Sequence, residues 1–501
     1  MSSAERDRLM WKELLARAAK DGVQLQAQLR NALVDAIVDG NLPAGRRVPS
    51  SRNLAELAGV SRTTASIVLE KLTADRFLES RPRDGYYVSS ALREQKLAIA
   101  QSPDSLDQPD WAARMAHADT RYPWQERPAG WQSCPYRFVY GEVNPQIFPF
   151  ADWRDASRSA LGKSAIQLWG QDSGGDESEE LVKQIINKIL PRRGIAAKPE
   201  QVMLTLGTQH GLYLIAQTLL RSGVKLALEE PGYMDARYIF MRSGAELLSV
   251  PLDAFGMTID KRLAECNYLY CTPSHQSPTG VTMSTERRLG LLTHATRHDQ
   301  IIIEDDYEPE LKYEGAAAAA LKAMDRSGRV VYLSSLSKLV CPGLRLGYIV
   351  GPERLMTELK SLRRLMIRQL PGNNLASAAQ FIRQGHYDRL IGAMRQALEL
   401  KAKIIMAILR KELPMVQMDA PTGGSAIWMR IPQLPNSDRL RAACFDAGVL
   451  IDPVEPYFAN PPKETWLRLN FASIPQELVE RGTLIFARTV RTLLRNGQPG
   501  R

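Results

Sequence analysis

Cysteine and histidine are scarce in this chain, and their scarcity removes whole classes of function. Five cysteines among 501 residues, at 134, 266, 271, 341 and 444, have no metal-binding spacing, and an odd number does not build a disulfide framework. The six histidines form no pair at ligand spacing, so no metal is expected, and His275 alone is expected near a functional site. No apolar run is long enough for a membrane span, and no signal-peptide pattern is present. The expected location is therefore the cytoplasm, with no membrane partner. Internal repeats are also missing. The length exceeds one ordinary core, so roughly two to four domains are expected. A net charge of +10 agrees with a polyanionic partner and equally with an ordinary basic enzyme.

What is present centres on Lys338, in Tyr332-Leu-Ser-Ser-Leu-Ser-Lys338-Leu-Val-Cys-Pro-Gly-Leu-Arg345-Leu-Gly347, just past the apolar run Val330 to Leu333. A lysine there is placed to form an imine with an aldehyde. Ser335, Ser337 and Arg345 are the donor types a phosphate ester needs, so the cofactor indicated is pyridoxal 5'-phosphate held as a Schiff base. Alone, the motif equally describes a surface lysine after a strand. Four other segments break the tie. Ile301 to Tyr307 is an apolar strand ending in acids, of which Asp305 is the choice to pair with a pyridine nitrogen, with Tyr307 reaching the ring oxygen. Glu304 and Asp306 are expected to be solvated strand-end charges. Val202 to Gly211 reads as strand, tight turn and helix, placing Gly207, Thr208 and Gln209 where free amides cradle a phosphate. Tyr233, after the strand Leu226 to Glu230, is placed to stack on a ring. Tyr268 to Gly280 is a strand followed by a Pro/Gly-rich turn containing Ser277. All lie at carboxyl ends of strands in an alternating strand and helix pattern, where open α/β sheets bind ligands.

The front of the chain has a different pattern. Leu25, Leu29, Leu33 and Ile37 mark one face of a helix ending at Gly40. Ser50 and Arg52 begin a short helix that stops near Gly59, and Ser61 caps a third that opens Arg62-Thr63-Thr64. Two short helices across a tight turn make a helix-turn-helix. Two β segments around Asp84-Gly85 then form a wing with Arg81 and Arg83 near its tip. Residues 24–90 hold nine Lys or Arg against seven Asp or Glu, so the argument for double-stranded promoter DNA rests on placement at helix starts and wing rather than on bulk charge.

Residues 136–494 resemble a fold-type I, class I aminotransferase, and the front segment resembles GntR-type winged helix-turn-helix domains. Together the chain is similar to the MocR/GabR branch of the GntR superfamily, in which an aminotransferase-like domain senses the effector of a transcription factor. The resemblance implies an α/β protein: a winged helix-turn-helix over 23–90, a linker over 91–134, and an aminotransferase-like domain over 135–495 with a mostly parallel sheet. A smaller α+β part from about 381 completes it. It implies Lys338 as the residue of the internal aldimine and Arg468, in Trp466-Leu-Arg468-Leu, as the grip on an effector carboxylate. Further implications are a small amino-compound effector captured as an external aldimine, and a homodimer arranged head to tail. The expected role is a regulator rather than an enzyme, with a slow transaminase half-reaction permitted. An active aminotransferase carrying a DNA-binding head is the alternative. One departure favours the regulator: the family's enzymes carry asparagine before Pro-Thr-Gly, and this chain has Ser277. The spacing from Asp305 to Tyr307 is also one residue shorter than in most of them.

Overall fold

The computed structural model describes Trp11 and residues 25–89, 109–115 and 127–496, apart from 143, 173, 314–317, 433, 435–436, 461 and 463. The chain divides into two compact units, Met1–Thr120 and Arg121–Arg501.

In the first unit, α1 (Leu25–Val38) buries Leu29, Leu33 and Ile37 at the expected helical spacing. The next helix, α2 (Ser51–Ala58), starts at Ser50, whose hydroxyl accepts from the Asn53 amide, and stops at Gly59 in the left-handed conformation. Ser61 likewise caps α3 (Arg62–Ala74) by accepting from the Thr64 amide at 3.0 Å. The strands β1 (Arg47–Val48), β2 (Leu78–Arg81) and β3 (Gly85–Val88) form a small antiparallel sheet in the order β1-β3-β2. Leu33, Leu54, Val68, Leu69 and Leu72 make its core. Trp11 is buried in the same cluster, so the core draws on a residue ahead of the expected start at 23. Arg30 pairs with Asp75 at 2.7 Å and ties α1 to the end of α3.

Of the connection expected over 91–134, most lies outside the described residues. Within it, Trp111–Arg114 is helical, Asp110 caps it, and Met115 is already extended. A short helix runs over Leu321–Met324 in the second unit.

The second unit opens with β4 (Tyr136–Phe138). Its main sheet contains β5 (Val202–Thr205), β6 (Lys225–Glu230), β7 (Glu246–Asp253), β8 (Gly256–Met257), β9 (Tyr268–Cys271), β10 (Ile301–Asp306), β11 (Val330–Ser335) and β12 (Gly347–Val350). The order is β5-β12-β11-β10-β9-β6-β7-β8. Strands β11, β10, β9, β6 and β7 run parallel, while β12 is antiparallel to both neighbours. The near-continuous burial of these strands reflects a sheet covered on both faces. Helix α4 (Thr208–Leu219) follows β5, and α5 (Met234–Arg242) follows β6. A side chain on Gly347 would put its Cβ 2.9 Å from the Ser334 carbonyl oxygen and 3.0 Å from Gly207, so only glycine lets these backbones meet.

A second sheet, β13 (Gln417–Met418), β14 (Ala426–Ile431) and β16 (Thr465–Asn470), packs with the long helices α6 (His386–Glu412) and α7 (Gln476–Asn496). The short strand β15 (Val449–Ile451) pairs in parallel with β4.

Candidate functional site

The carboxyl ends of β5, β6, β9, β10 and β11 bring the expected cofactor residues together. Lys338 lies three residues beyond β11 and its amide donates to the Ser335 hydroxyl at 3.3 Å. Its Nζ sits 3.6 Å above the Tyr307 ring centre, 4.4 Å above that of Tyr140 and 3.8 Å from Glu308 Oε1. Burial lowers its pKa to about 8, against the pull of Glu308 and with help from Arg468.

Asp305 comes from β10 beside the lysine strand, in register with Leu333. Tyr270 donates to its Oδ2 at 3.0 Å, while Oδ1 is buried with no partner. Burial raises its pKa to about 7, Tyr270 and Lys338 opposing. Tyr233 caps α5, and its hydroxyl donates to Asp235 at 3.0 Å.

On the opposite side, Gly207 takes φ +82° and lets the chain enter α4 at Thr208 with its amides free of side-chain caps. A Cβ on Gly207 would lie 3.1 Å from the Arg345 guanidinium. Gln209 is exposed. Arg345 donates to the Leu206 carbonyl at 3.1 Å, which holds it over this turn. Ser335 is buried, and its hydroxyl hydrogen is available to a ligand. Ser337 corrects the sequence reading: its hydroxyl accepts from the Leu346 amide and donates to the Leu346 carbonyl, so it locks the lysine loop to β12's approach.

Arg468 stands on β16 opposite Trp428, buried, with its Nε unpartnered and its guanidinium 5.9 Å from the Tyr140 ring centre. Burial opposes its charge, but Tyr457, Tyr307 and Glu308 outweigh that and hold its pKa above the ordinary value. Ser277 is buried after β9, its amide donating to the Thr272 hydroxyl at 3.0 Å. His275 is buried next to Gly424.

In the first unit, Ser50, Arg52, Ser61, Arg62, Thr63, Arg81 and Arg83 are exposed. Arg81 stacks over the Tyr87 ring at 4.1 Å, and Arg47 donates to the Asp84 carbonyl, stiffening the wing. Thr64 differs from expectation: it is half-buried, and its hydroxyl pairs with Ser61 at 2.8 Å as part of the cap. Replacing Arg62 by alanine is expected to weaken binding to a promoter fragment by about 1–3 kcal/mol, roughly 5- to 150-fold, without altering cofactor absorption. Gel shifts measure it, and unchanged affinity would mean that the reading helix lies elsewhere.

Two family models match the chain: bacterial regulatory proteins of the gntR family over residues 25–88, and aminotransferase class I and II over residues 142–483. The HTH-type transcriptional regulator TauR of Rhodobacter capsulatus is 36% identical over 93% of this chain and 96% of its own length. The probable rhizopine catabolism regulatory protein MocR of Rhizobium meliloti is 29% identical over 92% of each. The chain belongs to the MocR-type branch of GntR regulators. Its second unit also resembles solved enzymes. A kynurenine aminotransferase of Pyrococcus horikoshii superposes with TM-score 0.67 at 27% identity, over 72% of this chain and 91% of that one. The α-aminoadipate aminotransferase LysN of Thermus thermophilus gives 0.67 at 27%, over 73% and 94%.

Within this MocR-type chain, two acids overturn the expectation of solvated strand ends. Glu304 is fully buried and accepts from the Leu321 and Lys322 amides at 2.8 and 2.9 Å, capping the helix there. Asp306 is buried against Arg193 at 2.8 Å and the Tyr332 hydroxyl at 2.9 Å. Glu308, Tyr140 and Tyr270 are site residues the sequence reading did not select. An acid two residues past the buried end of β10 was the available signal for Glu308. Nothing local marks Tyr140, which follows β4. A second histidine also joins: His210 accepts from the Leu206 amide, and burial with Arg363 and Arg345 lowers its pKa to about 4.

Proposed function

We propose that this chain is a transcriptional regulator that binds double-stranded promoter DNA through its first unit and pyridoxal 5'-phosphate through its second, and answers to a small amino compound. The observation that carries this reading is a buried lysine just past β11 that meets Tyr307 and Glu308, with Asp305 and Arg468 nearby, in one chain with an exposed basic helix-turn-helix. When bound, the cofactor supplies an aldehyde that exchanges amines and an electron-withdrawing ring. The residues fit it. The orphaned Oδ1 of Asp305 suits a protonated ring nitrogen. Arg345, Ser335 and the amides at the start of α4 suit a phosphate. Tyr233 is placed for the ring face, Tyr307 for the ring oxygen, and the orphaned Nε of Arg468 for a carboxylate. Ser277 provides a short hydroxyl where the family's enzymes hold asparagine, which favours retention of the amine over turnover.

In the same reading the chain acts as a homodimer, head to tail, inside the cytoplasm. Among the described residues no helix is long and apolar enough to cross a membrane. The test is a gel shift with cofactor-loaded, full-length protein on its own upstream region, run with and without amino carboxylates. A change in DNA affinity with little keto acid formed is expected. Rapid multiple turnover with no change in DNA binding would replace the regulator by an aminotransferase with a DNA-binding head.

Lys338 also sets a pH dependence. Only its neutral amine attacks an aldehyde, so the rate of cofactor loading should rise about tenfold per pH unit up to about 8 and then level. An unperturbed lysine would keep climbing to about 10.4. Stopped-flow absorbance of the cofactor-free protein distinguishes them.

A further inference from the structure

The Lys338 ammonium has a receptor of its own. Two aromatic rings, Tyr307 and Tyr140, face Nζ at 3.6 and 4.4 Å, and Glu308 Oε1 lies 3.8 Å away. Faces of this kind attract a cation, more strongly when water is excluded. Glu308 is 4% exposed, and the Ser425 hydroxyl donates to the same Oε1 at 2.9 Å, fixing the carboxylate. Gly424 and the His275 ring border the other side of the carboxylate, a Cβ at 424 standing 3.5 Å from Glu308 Oε2 and 3.2 Å from that ring. Among the described residues, Lys338 is the one cation paired with Glu308 within 4.0 Å. Arg468 stands farther off and contributes a field rather than a contact.

We propose that Tyr140, Tyr307 and Glu308 form a parking site for the released lysine, and that this site sets how readily an effector amine displaces Lys338 from the cofactor. The inference rests on the function proposed above. In the exchange, the effector nitrogen bonds to the aldehyde carbon as the bond from that carbon to Nζ breaks. From one neutral imine to the other, three protons pass from the effector's ammonium to Nζ, so the lysine leaves as an ammonium and total charge is unchanged. While Nζ is bonded to the cofactor, the carboxylate lacks an ammonium. Once Nζ is free, the ammonium and the carboxylate satisfy each other. Glu308 therefore acts as a positioning residue through Lys338, favouring the effector-bound state by stabilising what is expelled. The charged and titratable groups facing Nζ are Glu308, Asp305 and Arg468, with the hydroxyls of Tyr307 and Tyr140.

Two measurements test this on the full-length protein. In the first, methylamine serves as the probe amine. Cofactor-loaded protein is equilibrated with rising methylamine and reduced with borohydride, and mass spectrometry counts Lys338 peptides that carry the cofactor. Glu308→Gln should raise the displacing midpoint about tenfold, and Glu308→Asp should recover part of it. In the second, competitive acetylation of the cofactor-free protein follows Nζ against pH. There Glu308→Gln should move the midpoint down by about 1 pH unit, because an attractive charge has gone. Ser425→Ala, which only loosens the carboxylate, should shift both readings the same way by less. If Glu308→Gln is poorly folded, Ser425→Ala with Tyr140→Leu carries the test. Unchanged midpoints in folded variants would overturn the parking site. A wild-type protein in which borohydride fixes no cofactor on Lys338 would instead overturn the function proposed above, whatever the variants do.

Discussion

Lys338→Ala protein, supplied with excess pyridoxal 5'-phosphate and reduced with borohydride, is expected to carry no cofactor on any peptide, and its DNA binding should stop responding to amines. The loss is complete rather than partial because the imine needs a neutral amine at this position. Among the described residues, burial also lowers the pKa of Lys401, to about 8, and that of Lys322, but the first donates to the carbonyls of Phe471, Ala472 and Ile474 and the second to that of Val330, so neither is free to react. Peptide mapping of the reduced wild type should find the cofactor on the Lys338 peptide. A label elsewhere, or a variant that still answers to amines, would remove the lysine from the centre of the site. Promoter affinity without amine should stay within experimental scatter of the wild type, because the exposed arginines belong to the other unit.

Arg468→Ala is expected to have the second largest effect, confined to effectors that carry a carboxylate. The guanidinium is buried, its Nε has no partner, and its neighbours hold it charged. Truncating one member of a buried, hydrogen-bonded charge pair costs about 2–5 kcal/mol, so half-saturation by an amino carboxylate should rise roughly 30- to 5,000-fold. A pure amine should lose little or even gain, since a neighbouring cation has been removed. Absorbance titrations with paired ligands, one with and one without the carboxylate, give the ratio directly. Equal losses for both would mean that Arg468 supports the fold around β16 rather than the ligand.

The elements that position these residues were legible in the sequence wherever the signal was local. Helix caps at Ser50 and Ser61 followed from a hydroxyl preceding an apolar helical stripe. The lysine, Asp305 and Tyr233 were legible because each stands at or just past the end of an apolar strand, and a parallel sheet brings such ends together. The two misread acids have partners farther along the chain. Asp306 looks like a solvated charge until Arg193, 113 residues earlier, arrives beside it. Glu304 needs the helix at Leu321 to reveal its role as a cap. Ser337 resembles a phosphate donor in a serine-rich run, yet both hydrogen-bonding functions of its hydroxyl are taken by Leu346, nine residues on. Tyr140 has no local signature, because its place over the lysine depends on the packing of the whole unit.

The close approach at Gly347 acts as a gauge block. The turn at Gly207 and the end of β11 at Ser334 are set apart by the thickness of one bare backbone. A methyl group at 347 would be a shim driven between them, widening the span from the amides of α4 to Lys338 without touching either. In the proposed function, the length of molecule that the amides of α4 and the lysine would hold between them is therefore ruled off by main chain.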